Sequence, residues 1–129
     1  MYEVAYETTF CATHALTRDG QPIEPLHGHD WRVEAVAAGD ALDGIGVLLD
    51  FEQLKQVVAE VAARFHYGDI GSHAAFAGSS PSAEAVARYF FEQVEAGLGD
   101  HGRLLARVRV WEAPGCSATY IGEARAARQ

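Results

Sequence analysis

The chain has 129 residues, 49% hydrophobic and 22% charged, which suits one globular domain with a buried core and excludes a disordered chain or two ordinary domains. A formal net charge of -8, with Lys55 as the only lysine, leaves no clustered cations for general nucleic-acid binding, although Arg32, Arg64 and Arg88 leave room for a small anionic substrate. No apolar run approaches the roughly 20 residues that cross a bilayer, and Met1-Tyr2-Glu3 lacks a basic signal-peptide start, so the expectation is a cytoplasmic protein with no membrane partner and with Cys11 and Cys116 as free thiols.

In chain order, Tyr2 to Phe10 is rich in Val, Tyr, Thr and Phe, and Trp31 to Ala38 alternates Trp31, Val33 and Ala35 with Arg32 and Glu34; both read as strands. Between them, Thr17 to Pro25 has a turn-forming composition that suits the loop of an antiparallel pair. Asp50 is a candidate N-cap, with Gln53 three residues later, for a helix whose Phe51, Leu54, Val57, Val58, Val61 and Phe65 follow a 3.6-residue period. Ser80-Pro81 signals a second helix with Pro81 at its first position, and Ala83, Val86, Ala87, Phe90, Phe91 and Val94 form its apolar stripe. Gly97 to Gly102 ends it. Leu105 to Ala113 and Ser117 to Gly122 then read as strands around Pro114-Gly115.

The order β-β-α-α-β-β gives an α+β fold: a four-stranded antiparallel sheet with two helices on one face. Residues 1–123 form the single domain and 124–129 a C-terminal tail. The second face is expected to expose apolar residues and two strand edges, which favours pairing with further copies of the chain.

His27 and His29 flank Gly28 at the spacing that turns both side chains to one face of a strand, together with Trp31 and Val33. His14 ends the first strand and returns beside this pair if the loop closes a hairpin. Three neutral imidazoles suit Zn²⁺ and leave a fourth tetrahedral position for water or substrate. Asp30 and Glu34 are candidates for orienting the ligands.

Phe10-Cys11-Ala12-Thr13-His14, Leu26-His27-Gly28-His29, Leu49 to Lys55, Pro81-Ser82-Ala83-Glu84 and Trp111-Glu112 fall in order along the chain. Together they resemble the successive blocks of the 6-pyruvoyl-tetrahydropterin synthase and 6-carboxytetrahydropterin synthase family. The resemblance implies the T-fold, in which three subunits join their sheets into a barrel and two rings stack as a homohexamer, a dimer of trimers. It also implies zinc on His14, His27 and His29, and a pterin such as dihydroneopterin triphosphate as substrate, bound through Ser82 and Glu112. An ionised carboxylate can accept both the 2-amino group and the ring N–H on one pterin edge.

The family's proton-transfer residues, a cysteine and an Asp-His pair, are replaced. Ile23 stands at the cysteine position and cannot accept a proton. Glu24 follows, and Glu24 to His29 resembles the E-x-x-H-G-H form of a subgroup that cleaves the pterin side chain, which makes Glu24 the candidate base. Phe65-His66-Tyr67 meets the family's Leu-Asp-His segment, so His66 and Tyr67 are the remaining candidates, with Asp69 as a possible carboxylate partner. Two readings follow. One is a zinc-dependent carbon–oxygen or carbon–carbon lyase with altered catalytic residues. The other is a non-catalytic T-fold that binds a pterin or purine.

Overall fold

A computed structural model describes residues 1–122; the expected tail, residues 124–129, lies outside the described residues. Its principal sheet contains β1 (Tyr2–His14), β4 (His27–Gly39), β6 (Leu105–Ala113) and β7 (Cys116–Ile121), hydrogen-bonded in that order. A two-residue strand, β5 (Gly68–Asp69), adds in parallel to the outer edge of β1. The four long strands are antiparallel, as expected.

β1 and β4 are 13 residues each and pair without interruption from Tyr2↔Gly39 to His14↔His27. Both extend beyond the apolar segments that announce them, because ladder hydrogen bonds continue through residues of poor strand propensity such as Gly28 and Asp30. The connecting loop contains a small hairpin, β2 (Thr17–Arg18) with β3 (Gln21–Pro22). Asp19 and Gly20 turn it with φ of 53° and 79°, the paired positive values of a tight type I′ turn.

Helix α1 (Phe51–Ala63) starts at Asp50, whose side chain accepts from the Glu52 N–H, and buries Leu54, Val58, Val61 and Ala62. Phe51 falls off that stripe and is 59% exposed. Helix α2 (Ala83–Gly97) begins later than expected. Ser82, not Ser80, is its N-cap, with the hydroxyl accepting from the Ala85 N–H, so Pro81 precedes the helix instead of opening it. A 3₁₀ segment, Gly99–Leu104, leads from α2 into β6.

Both helices cover the sheet face that carries Phe10, Trp31, Val33, Ala35, Val108 and Val110. Phe10 stacks between Trp31 and Phe90, at centroid distances of 6.0 and 5.5 Å. Each such buried side chain contributes about 1.5–3 kcal/mol through apolar burial.

The uncovered face differs from expectation. Strand alternation places Glu3, Glu7, Asp30, Arg32, Glu34, Arg107, Arg109 and Trp111 there. Arg107 pairs with Glu3 through two contacts of 2.9 Å, and the Arg32 guanidinium lies 3.7 Å from the Trp111 ring centroid. Charge pairs and cation–π stacking occupy much of this face, and Ile121, opposite Arg107, is its exposed apolar residue at 40%. No helix among the described residues is long and apolar enough to cross a membrane.

Candidate metal centre

The site lies where β1 ends and β4 begins, on the face shared with the core. His14 and His27 are register partners, and His29 faces Ala12 on β1. Glu112, on the core-facing side of β6 two residues beyond Val110, joins them. One ligand atom from each of His14, His27, His29 and Glu112 lies within 4.8 Å of the others. Zinc bonds of about 2.0–2.1 Å hold tetrahedral ligand atoms about 3.3 Å apart, so a small closure of this cluster suffices to hold an ion.

His14 is buried, 1% exposed, and is fixed from both ends. Its Nδ1 donates to the Pro81 carbonyl at 2.8 Å, and Nε2 lies 2.5 Å from Glu112 Oε1. His27 Nδ1 likewise donates to the Pro25 carbonyl at 2.9 Å. A carbonyl can only accept, so both Nδ1 atoms carry hydrogen, and in the neutral ring each Nε2 offers its lone pair to the common centre. That is the tautomer a metal ligand needs, set by an outer hydrogen bond. The orienters are therefore backbone carbonyls. Asp30 and Glu34, expected in that role, alternate onto the opposite face of β4 and cannot reach the histidines.

The electrostatics agree with a cation site. The Pro25 hydrogen bond raises the His27 pKa above 6.5; burial opposes the rise, while Glu112 and Glu24 add to it. Burial alone would raise the Glu112 carboxyl. Hydrogen bonds with His14 and His27, and the charges of His14 and His29, outweigh that effect and hold it below 4.5. Trp31 closes the inner wall, its ring 4.9 Å from that of His14 and its Nε1 donating to the Ala12 carbonyl at 3.3 Å.

The other candidate residues divide into two groups. Glu24 is beside the cluster, with Oε1 4.0 Å from His27 Nε2 and accepting the Leu16 N–H at 2.9 Å. Ile23 precedes it, 53% exposed. Ser82 adjoins Pro81, with its hydroxyl occupied in capping α2. His66 and Tyr67 stand apart, at the edge of β1: the Cys11 N–H donates to His66 Nδ1 at 3.2 Å, and the Tyr67 N–H to the Cys11 carbonyl at 2.7 Å. That first bond leaves hydrogen on Nε2 of a neutral His66, so its tautomer is set by backbone. Asp69, the candidate partner, instead accepts from the Thr13 and Ser72 hydroxyls at 3.0 and 2.7 Å. Tyr67 has φ of 60° and is 83% exposed.

A cavity of about 1010 Å³ lies at the far end of the sheet, lined by Met1, Tyr2, Leu42, Ile45 and Phe51 among others. None of the histidines of the cluster lines it.

Comparison with known proteins identifies the family and the fold. The family model of 6-pyruvoyl tetrahydropterin synthase matches residues 3–123. A protein of Archaeoglobus fulgidus provisionally named 6-carboxy-5,6,7,8-tetrahydropterin synthase is 30% identical over 110 residues, covering 84% of this chain and 86% of its own. The dihydroneopterin monophosphate aldolase of Pyrococcus furiosus is 28% identical over 109 residues, covering 84% and 88%. The structure of Caenorhabditis elegans 6-pyruvoyl tetrahydropterin synthase superposes with a TM-score of 0.85 at 20% identity, over 95% of this chain and 96% of that one, which establishes the T-fold. By the family match and by relatives of this similarity over most of its length, the chain belongs to the 6-pyruvoyl tetrahydropterin synthase family.

Proposed function

We propose that this protein is a pterin lyase that holds zinc on His14, His27 and His29 and uses Glu24 as its proton acceptor. The observation that carries the reading is the convergence of the three imidazoles, two of them fixed as Nδ1–H tautomers by the Pro81 and Pro25 carbonyls. Zinc held there supplies Lewis acidity toward a substrate hydroxyl. The protein's own residues do the rest. Glu112 accepts the pterin amino and ring N–H groups. Ser82 follows Pro81, whose carbonyl holds His14, and its hydroxyl caps α2, so a substrate contact by Ser82 would fall to its backbone.

Glu24 holds one carboxylate oxygen beside His27, with its orientation fixed by the Leu16 N–H. From there it takes a proton from the substrate side chain. The Pyrococcus relative is named an aldolase, and an aldolase breaks a carbon–carbon bond; that supports side-chain cleavage of a dihydroneopterin phosphate over the reaction of a 6-pyruvoyl synthase. His66 and Tyr67 lie against each other away from the cluster, with ring centroids 3.9 Å apart, and the exposure of the Tyr67 ring supports a role toward a neighbouring copy in the proposed homohexamer.

The test is turnover by zinc-loaded protein with dihydroneopterin triphosphate and monophosphate, with products separated by chromatography. A hydroxymethylpterin product, lost in Glu24→Gln while zinc content is retained, is the expected result. Unchanged turnover in Glu24→Gln removes that residue from the mechanism. A second reading, a pterin-binding protein without turnover, is favoured by one observation: the cysteine position holds Ile23, while His66 and Tyr67 are tied to Cys11. Pterin binding that Glu112→Ala abolishes, with no product formed by the wild type, selects it.

A further inference from the structure

We propose that Glu112 is a fourth protein ligand of the metal in the substrate-free protein, and that a pterin opens the site by drawing this carboxylate away. The inference rests on the zinc reading of the three histidines and adds a residue and an order of events. Glu112 Oε1 stands 3.4 Å from His27 Nε2 and 3.5 Å from His29 Nε2. Those separations match the edge of about 3.3 Å between the ligand atoms of tetrahedral zinc. The contact with His14 Nε2 is shorter, at 2.5 Å, a hydrogen-bond length, and an ion taking the place of that shared hydrogen needs the two atoms to part by only about 1 Å.

Glu112 is also the carboxylate best placed for this. Among the described residues its ion-pair partners are the three histidines alone, so no arginine or lysine holds it elsewhere. The competing carboxylate, Glu24, is 4.0 Å from His27 Nε2 and is engaged by the Leu16 N–H.

Three imidazoles and one carboxylate make a closed, four-coordinate site, whereas three imidazoles alone leave a position for substrate. The edge of a pterin offers two donors in one plane, which a carboxylate accepts as a bidentate pair, and this pair competes with the single metal bond for Glu112. Recognition of the ring therefore precedes access of the side chain to the metal. A small diol or sugar phosphate without such an edge does not open the site, and this sets a specificity that the three histidines cannot provide.

The experiment replaces zinc by Co²⁺ in the full chain and reads the visible absorption spectrum with and without azide, in wild type and in Glu112→Gln. Azide is expected to leave the wild-type spectrum unchanged and to shift that of the variant, and neopterin but not glycerol is expected to shift the wild type. Zinc affinity of Glu112→Gln, by chelator competition, is expected to fall by more than about tenfold. An azide shift in the wild type overturns the proposal whatever the variant does, as does equal zinc affinity in the two proteins. If the wild type takes up neither Co²⁺ nor Zn²⁺, the zinc reading falls and this inference with it. Uptake of metal with identical azide responses overturns the inference alone.

Discussion

Replacing His14 should separate the structural and metal-binding roles of the cluster. In His14→Ala the buried Pro81 carbonyl loses its donor and a fully enclosed imidazole leaves a void. An unpaired buried acceptor costs about 1–3 kcal/mol, and a partly collapsed cavity adds to it, for a total of about 2–4 kcal/mol. At about 3–5 °C per kcal/mol for a chain of this size, the metal-free protein should lose about 6–20 °C in Tm. His29→Ala removes a proposed ligand whose side chain is 30% exposed and which lies 3.5 Å from Glu112. Its metal-free stability should change by less than about 1 kcal/mol. Both variants should fail to bind zinc. Denaturation in the presence of a chelator, followed by circular dichroism, measures the difference. Equal stabilities of the two metal-free variants would refute the reasoning, because it assigns the Pro81 contact to His14 alone.

The metal-free protein should also show an opposed pH dependence. The Glu112 carboxyl is held below 4.5, so its contribution is complete above that pH and is lost as pH falls through the folded-state value. His27 is raised above 6.5, so its contribution is complete below that pH and is lost as pH rises through its folded-state value. Stability from this cluster should therefore plateau between the two, and Glu112→Gln should remove the acid limb of the denaturation midpoint plotted against pH and weaken the alkaline limb, part of which the Pro25 hydrogen bond sustains. Gly102→Ala should destabilise by about 1–3 kcal/mol, because the new Cβ would lie 2.3 Å from the Glu95 carbonyl oxygen, a backbone atom that cannot move alone; urea unfolding measures it. Tyr67→Gly relieves a left-handed φ of 60° and should raise stability by about 0.5–1 kcal/mol. If Tyr67 serves the reaction, turnover should fall in the same variant.

Much of the fold is legible in the sequence because its signals are local. The Asp50 cap, the stripes of both helices and the Leu105–Ala113 strand need only nearest neighbours to be read. Strand lengths are less legible: Gly28 and Asp30 weaken the pattern exactly where β4 reaches the histidines, and only the partner strand keeps them in the ladder. The charged sheet face was hidden because period-2 alternation says which residues share a face without saying how Arg107 finds Glu3 or Arg32 finds Trp111. In the site, His27 and His29 follow from spacing alone, and His14 from a closed hairpin. The Pro81 carbonyl behind His14 is 67 positions away and belongs to the backbone, so no residue type announces it. The position of Glu112 among the imidazoles, 98 residues from His14, depends likewise on the β4–β6 register.

The uninterrupted β1–β4 ladder has an evolutionary consequence. Because His14 and His27 meet as register partners, the small hairpin between them, Thr17–Arg18 with Gln21–Pro22, is free to grow, shrink or change its turn, whereas Leu16, Glu24 and Pro25, which border His27, are not. Loss of a single residue between Phe10 and His14 is a different matter. It would keep Phe10 in the core and swing His14 to the charged side of the sheet. Length variation among descendants of such a chain is thus steered into that hairpin, which can be reshaped to admit new substrates while the end of the sheet that carries the histidine cluster stays constant.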